Sequence, residues 1–140
     1  MREILFRGKG KYNDKEWIYG NLIKTKNDKF WITNNSYSNG GWLALTRRVE
    51  VDPNTVGQFT GLLDKNGKKI FEGDIVKNKY NQTTEIKFGE FVDTKSHEQV
   101  GFYQVYLDDD DWGGVSHGTM DDVKDSEIIG NIHDNKENKK

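Results

Sequence analysis

Short apolar or alternating runs follow one another along the chain, broken by glycine, asparagine and charged clusters, and none keeps the 3.6-residue period of an amphipathic helix. Glu3–Arg7 reads as a short strand with Ile4 and Phe6 on one face and Leu5 on the other, ended by Gly8-Lys9-Gly10. Trp17–Lys24 is rich in β-formers, and Lys26-Asn27-Asp28 turns it back into Lys29–Thr33, a hairpin. The polar stretch Thr33–Gly41 reads as a loop, followed by two strands, Trp42–Leu45 and Arg47–Val51. Asp52-Pro53-Asn54, which holds the only proline, is the expected boundary of an N-terminal sheet.

The second part opens on Val56–Val76, VGQFTGLLDKNGKKIFEGDIV. Asn66-Gly67 between apolar runs signals a hairpin, because both residues accept positive φ at low cost. Gly57, Gly61 and Gly73 mark bends or bulges, and Ile75–Lys77 begins a third strand. Further on, Thr84–Phe88 alternates cleanly and Phe91-Val92 extends it past Gly89. Val100–Leu107 has apolar residues on both faces, which predicts a strand buried in the middle of a sheet. Asp108–Asp125 is acidic, with a helical turn expected near Thr119–Lys124, and Ser126–His133 supplies the last strand. The expected class is all-β: a small antiparallel sheet over residues 1–54, an SH3-like barrel over residues 55–135 and a frayed tail over residues 136–140.

The run VGQFTGLLDKNGKKIFEGDIV resembles the signature of the YopX family of phage and prophage proteins. The opening MREILFRGKG…EWIYGNLI and the closing SEIIGNIHDN are similar to the family's terminal segments, so the likeness runs from Arg2 to about Asn135. Asn34–Gly41 and Asp108–Asp122 depart from the pattern. The resemblance implies an all-β fold, a temperate phage or prophage origin and an unassigned molecular function, and it carries no catalytic or binding residues.

Composition narrows the classes. Only 33% of the 140 residues are hydrophobic, yet 4 Trp, 6 Tyr and 7 Phe let a core close, since each ring can bury roughly 150–250 Å². With 31% charged residues and no long apolar run, neither a membrane span nor a signal peptide is expected, and the bacterial host cytoplasm is the expected compartment. The absence of cysteine removes disulfides, thiolate metal sites and a cysteine nucleophile. The net charge of −2 conceals an asymmetry. Residues 1–55 hold 10 Lys and Arg against 6 Asp and Glu, a balance of +4, and residues 56–140 hold 11 against 17, a balance of −6. Ordinary solvated surface explains such a split, as does attraction between the halves within or between subunits.

Chemical motifs are weak throughout. Gly61 and Gly67-Lys68-Lys69 imitate a phosphate loop, but the spacing is one residue too long, Lys69 replaces the Ser or Thr, and no helix follows. Asp108, Asp110 and Gly113 fall at calcium-loop positions, yet Trp112 and Thr119 stand where further ligands are needed. His97, His117 and His133 lack metal-ligand spacing, and Ser116 beside His117, with Asp122 or Asp125, does not make an oriented triad. No enzyme, cofactor or metal is expected.

Two binding classes survive. A homo-oligomer that also engages a host or phage protein is favoured, by the many strand edges, the aromatic content and the opposite charge of the halves. Its candidate surface is Trp42, Arg47, Arg48, Asp108, Asp109, Asp110, Asp111 and Trp112. The alternative is nucleic acid, held on the mixed aromatic and basic residues of the first half: Lys9, Lys11, Tyr12, Trp17, Lys29, Trp31, Tyr37, Trp42, Arg47 and Arg48. The pI near 5.9 and the acidic second half weigh against it.

Overall fold

A computed structural model describes residues 3–12, 16–37, 43–92, 97–107 and 117–134. The chain is all-β and falls into two compact units, Met1–Phe59 and Thr60–Lys140. Two single 3-10 turns, Pro53–Thr55 and Val123–Asp125, are the only helical pieces among the described residues.

In the first unit β1 (Phe6–Lys9), β2 (Trp17–Lys24), β3 (Phe30–Tyr37) and β4 (Leu43–Val51) form an antiparallel sheet in the order β4-β3-β2-β1. The start of β5 (Gly57–Leu63) flanks β1, where Gln58 and Gly57 pair with Phe6 and Arg7. Alternation places Phe6, Ile18, Leu22, Phe30, Ile32, Val49 and Val51 on one face, and these make the core of the unit with Val56. Gly8 lies on this face because β1 crosses β4 closely: a Cβ there would stand 3.1 Å from Val51 Cβ and 3.3 Å from Ile32 Cδ1. At that crossing Lys11 N–H donates to Glu50 C=O and Asp52 N–H to Lys9 C=O, so the sheet curls back on itself.

Asp52-Pro53-Asn54 enters the 3-10 turn inside the first unit. The Asp52 carboxylate accepts from Asn54 N–H, and the Thr55 hydroxyl donates to Asp52 C=O while accepting from Lys9 N–H. Two expectations need correction here. Asn34–Tyr37 is strand, not loop, because β3 pairs with β4 through Tyr37 and Leu43; Trp42–Leu45 and Arg47–Val51 are not two strands, since Leu43–Val51 is one strand whose register shifts opposite Asn34 and Asn35. Cross-strand pairing overrides the low β-propensity of the asparagines.

The second unit takes the rest of β5, with β6 (Lys69–Phe71), β7 (Asp74–Lys77), β8 (Thr83–Val92), β9 (Glu98–Tyr106), β10 (His117–Gly118) and β11 (Glu127–Asn131). Its sheet runs β10-β9-β8-β7-β11. Ile70, Val76, Ile86 and Val123 form the core, with Met120 and Ile128 against it. Gln104 is buried beside them and fully used: its Oε1 accepts from the Thr84 hydroxyl at 2.7 Å, and its Nε2 donates to Thr119 C=O and the Asp122 carboxylate. β10 and β11 stand at the two edges of this sheet, and among the described residues no closed barrel is found. Burial of β9 on both faces holds only near its end, where the neighbours Gln104 and Val105 face opposite ways and are both buried; Val100, in the other part, is 71% exposed.

Three hairpin turns share one construction. In Thr25–Lys29, Asp64–Lys68 and Asn78–Gln82, the first N–H donates to the fifth C=O, and the fourth N–H donates to the first C=O. The first side chain accepts from the fifth N–H each time: Thr25 from Lys29, Asp64 from Lys68 and Asn78 from Gln82. The fourth residue is left-handed in all three, Asp28 at φ 60°, Gly67 at 81° and Asn81 at 64°. The central hairpin thus has a three-residue loop with only its glycine at positive φ, not a two-residue turn with both residues there.

Candidate functional site

The face of the first sheet opposite its core has an unusual composition. By register it carries Arg7 and Lys9 from β1, Trp17, Tyr19, Asn21 and Ile23 from β2, Trp31 and Thr33 from β3, and Arg48 and Glu50 from β4. Tyr19 (43%) and Ile23 (44%) are exposed, as are Asn21 and Arg48, whereas Arg7, Thr33 and Glu50 are buried and Lys9, Trp17 and Trp31 half-buried, so part of this face meets solvent. Cations lie against its rings. The Arg7 guanidinium is 4.5 Å from the Trp17 centroid, Lys9 Nζ 5.5 Å from the same ring, and the Arg48 guanidinium 5.0 Å from Trp31. Such pairs contribute about 0.5–1 kcal/mol when exposed and about 2 when desolvated, as at Arg7, which is only 5% exposed. The single carboxylate at these positions, Glu50, is buried and accepts from Lys11 Nζ at 3.3 Å. That hydrogen bond raises the Lys11 pKa above its ordinary value, with the nearby Tyr12 and the Glu50 charge adding to it.

The second unit carries a different surface. β7 pairs with β8 only over Thr83–Glu85, and β10 pairs with β9 only at Gln104 and Val105. Beyond these, β8 and β9 continue for six rungs, from Lys87–Tyr103 to Val92–Glu98, and no strand flanks either edge among the described residues. One face of this arm presents Phe88 and Phe102, edge to face at 4.9 Å, with Val92 and Val100 further out. Phe88 is 51% exposed, and Glu90 and Glu98 lie on the same face. A recess at the tip is lined by Glu90, Phe91, Val92, Glu98, Gln99 and Val100.

The buried carboxylates serve the fold. Burial alone would raise the Asp64 pKa, but N–H groups of Ile128, Lys68 and Asn66 donate to it and hold it below the ordinary value. Asp74 accepts from Phe71 N–H at 2.8 Å and shapes the turn in which Gly73 has φ 94°. Among the described residues no three His, Asp or Glu side chains gather as a metal site, and no helix is long and apolar enough to cross a membrane.

Of the surface residues singled out from sequence, Arg48 is placed on the aromatic face, over Trp31. Arg47 belongs to β4, and its side chain is outside the described part. Trp42, Asp108, Asp109, Asp110, Asp111 and Trp112 lie outside the described residues, as does most of the calcium-like loop. From the wider aromatic and basic set, Lys9, Trp17, Trp31 and Arg48 come together. Arg7, Tyr19 and Ile23 were missed, although period-two reading of Arg7/Lys9 and Trp17/Tyr19 would have found the first two.

These features define an all-β protein with two exposed surfaces of unlike chemistry, one aromatic and basic, one apolar with carboxylates beside it. The chain belongs to the YopX protein family, whose profile matches residues 5–138. No curated protein matches it.

Proposed function

We propose that this chain is a non-enzymatic interaction module of phage or prophage origin, acting in the bacterial host cytoplasm, that self-associates and holds a protein partner through the β8–β9 arm. The arm carries the reading. An isolated two-stranded ribbon is at best marginally stable in water, and this one exposes Phe88, Val92 and Val100 where a monomer would place polar residues. A long edge with apolar side chains is also a template for pairing with another chain. The apolar centre supplies affinity, while Glu90 and Glu98 orient cationic groups of the neighbour. Association therefore weakens with salt without vanishing. The closure of the second unit into an SH3-like barrel belongs to the same proposal. Sedimentation equilibrium over a salt series tests it: mass above the monomer at micromolar concentration is expected, and a monomer in low salt would refute the reading.

A further inference from the structure

We infer that the solvent-facing side of the first sheet is a binding surface for single-stranded nucleic acid, independent of the arm. Three features of one face point there. Its rings are spread across adjacent strands: Trp17 and Tyr19 stand two residues apart on β2, and Trp31 lies on β3 opposite Ile23. Its cations sit among the rings, Lys9 opposite Trp17 and Arg48 over Trp31. Its one carboxylate, Glu50, is buried and engaged by Lys11. A sheet face of this kind takes bases by stacking and phosphates by charge, without reading sequence.

Chemistry separates this from a surface for an acidic polypeptide. Charge alone would suit both partners, but Tyr19 and Ile23 expose broad apolar area between the cations, and unstacked bases supply flat apolar faces at every residue of a polyanion. From Trp17 to Ile23 the face spans about 20 Å, at about 3.3 Å per residue, enough for a few nucleotides. The acidic balance of residues 56–140 lowers affinity for any polyanion, so binding is weak and strongly salt-dependent.

The test is fluorescence anisotropy of a labelled oligothymidylate of about 15 nucleotides, within the range bound by a single small β-fold, titrated with the full chain at about 50 and about 200 mM salt. Saturable binding is expected, weakening over this range with a slope of about 0.7 per phosphate contacted. Tyr19→Ala should weaken it about fivefold or more, Tyr19→Phe should restore it because the ring is kept, and Arg48→Glu should weaken it and flatten the salt dependence. Ile129→Ser, at an exposed position of the second unit outside both surfaces, should leave it unchanged. No binding at the lower salt overturns the proposal, as does equal loss in Tyr19→Ala and Tyr19→Phe. If Tyr19→Ala and Arg48→Glu abolish self-association while the oligonucleotide does not bind, the face is a subunit contact and the proposal falls.

Discussion

Phe91 and Tyr103 stack nearly face to face, with ring centroids 4.8 Å apart and planes 16° from parallel, although the strand register sets them well apart. Tyr103 lies opposite Lys87, four residues from Phe91, which in a flat strand is a separation of about 13 Å. Between them Gly89 and Gly101 face each other, with φ of 150° and 158°. These conformations are open to glycine and strained for other residues, and they bend both strands at one rung so that the rings on that face meet.

The bend predicts the effect of filling either position. Nothing lies within 4 Å of a Cβ at Gly89 or Gly101, so the cost of Gly89→Val or Gly101→Val is conformational, about 1–3 kcal/mol. Near-ultraviolet circular dichroism should lose the Phe91–Tyr103 contribution in both. An unchanged spectrum and melting temperature would show that the glycines do not hold the stack.

The three like-built turns predict substitutions of opposite sign. Gly67→Val should destabilise by about 1–2 kcal/mol, because the site has space but a left-handed backbone. Asn81→Gly should stabilise by up to about 1 kcal/mol, since glycine occupies φ 64° without the Cβ penalty. Thermal melts of the two variants beside the parent check both signs. A loss of stability in Asn81→Gly would mean that its side chain contributes more than its strain costs.

Acid should unfold the second unit partly through Asp64. Its folded pKa lies below the unfolded value of about 3.9, so its contribution is complete above that value and is lost as pH falls from about 4 through the folded pKa. Asp64→Ala should cost about 2–3 kcal/mol at neutral pH, by leaving the N–H groups of Asn66, Lys68 and Ile128 without their acceptor. Melting temperature against pH should then be flatter below pH 4 than in the parent. Equal slopes would assign the acid sensitivity elsewhere.

At Gly8 the limit is space. Gly8→Val would drive side-chain atoms into Val51 and Ile32 where β1 crosses β4, at about 1–3 kcal/mol or more. A melt equal to the parent would mean that the crossing relaxes freely.

Local chemistry made part of this fold legible. Trp17–Lys24 and its return strand announce themselves by β-branched and aromatic residues, and Asn66-Gly67 by its turn chemistry. Asn34–Tyr37 does not, because its strand conformation comes from pairing with Leu43–Arg47, a contact that polar composition conceals. Val100 misleads for the opposite reason: apolar residues on both faces of β9 suggest a central strand, whereas this part of it lies in a two-stranded arm. The aromatic face was half legible. In sequence its residues are a mixture of rings and cations; the face they share emerges only once β1, β2, β3 and β4 are in register.

The exposed positions of the arm allow a direct test of self-association. Phe88→Ser with Val100→Ser removes apolar surface at exposed positions, so the subunit should stay folded at a cost of about 0.5–1.5 kcal/mol for the lost Phe88–Phe102 contact. Sedimentation equilibrium of this double variant beside the parent, at equal micromolar concentration, is the decisive measurement. An associated parent and a monomeric variant are expected; a monomeric parent, or a variant that associates as strongly as the parent, would rule out self-association through the arm.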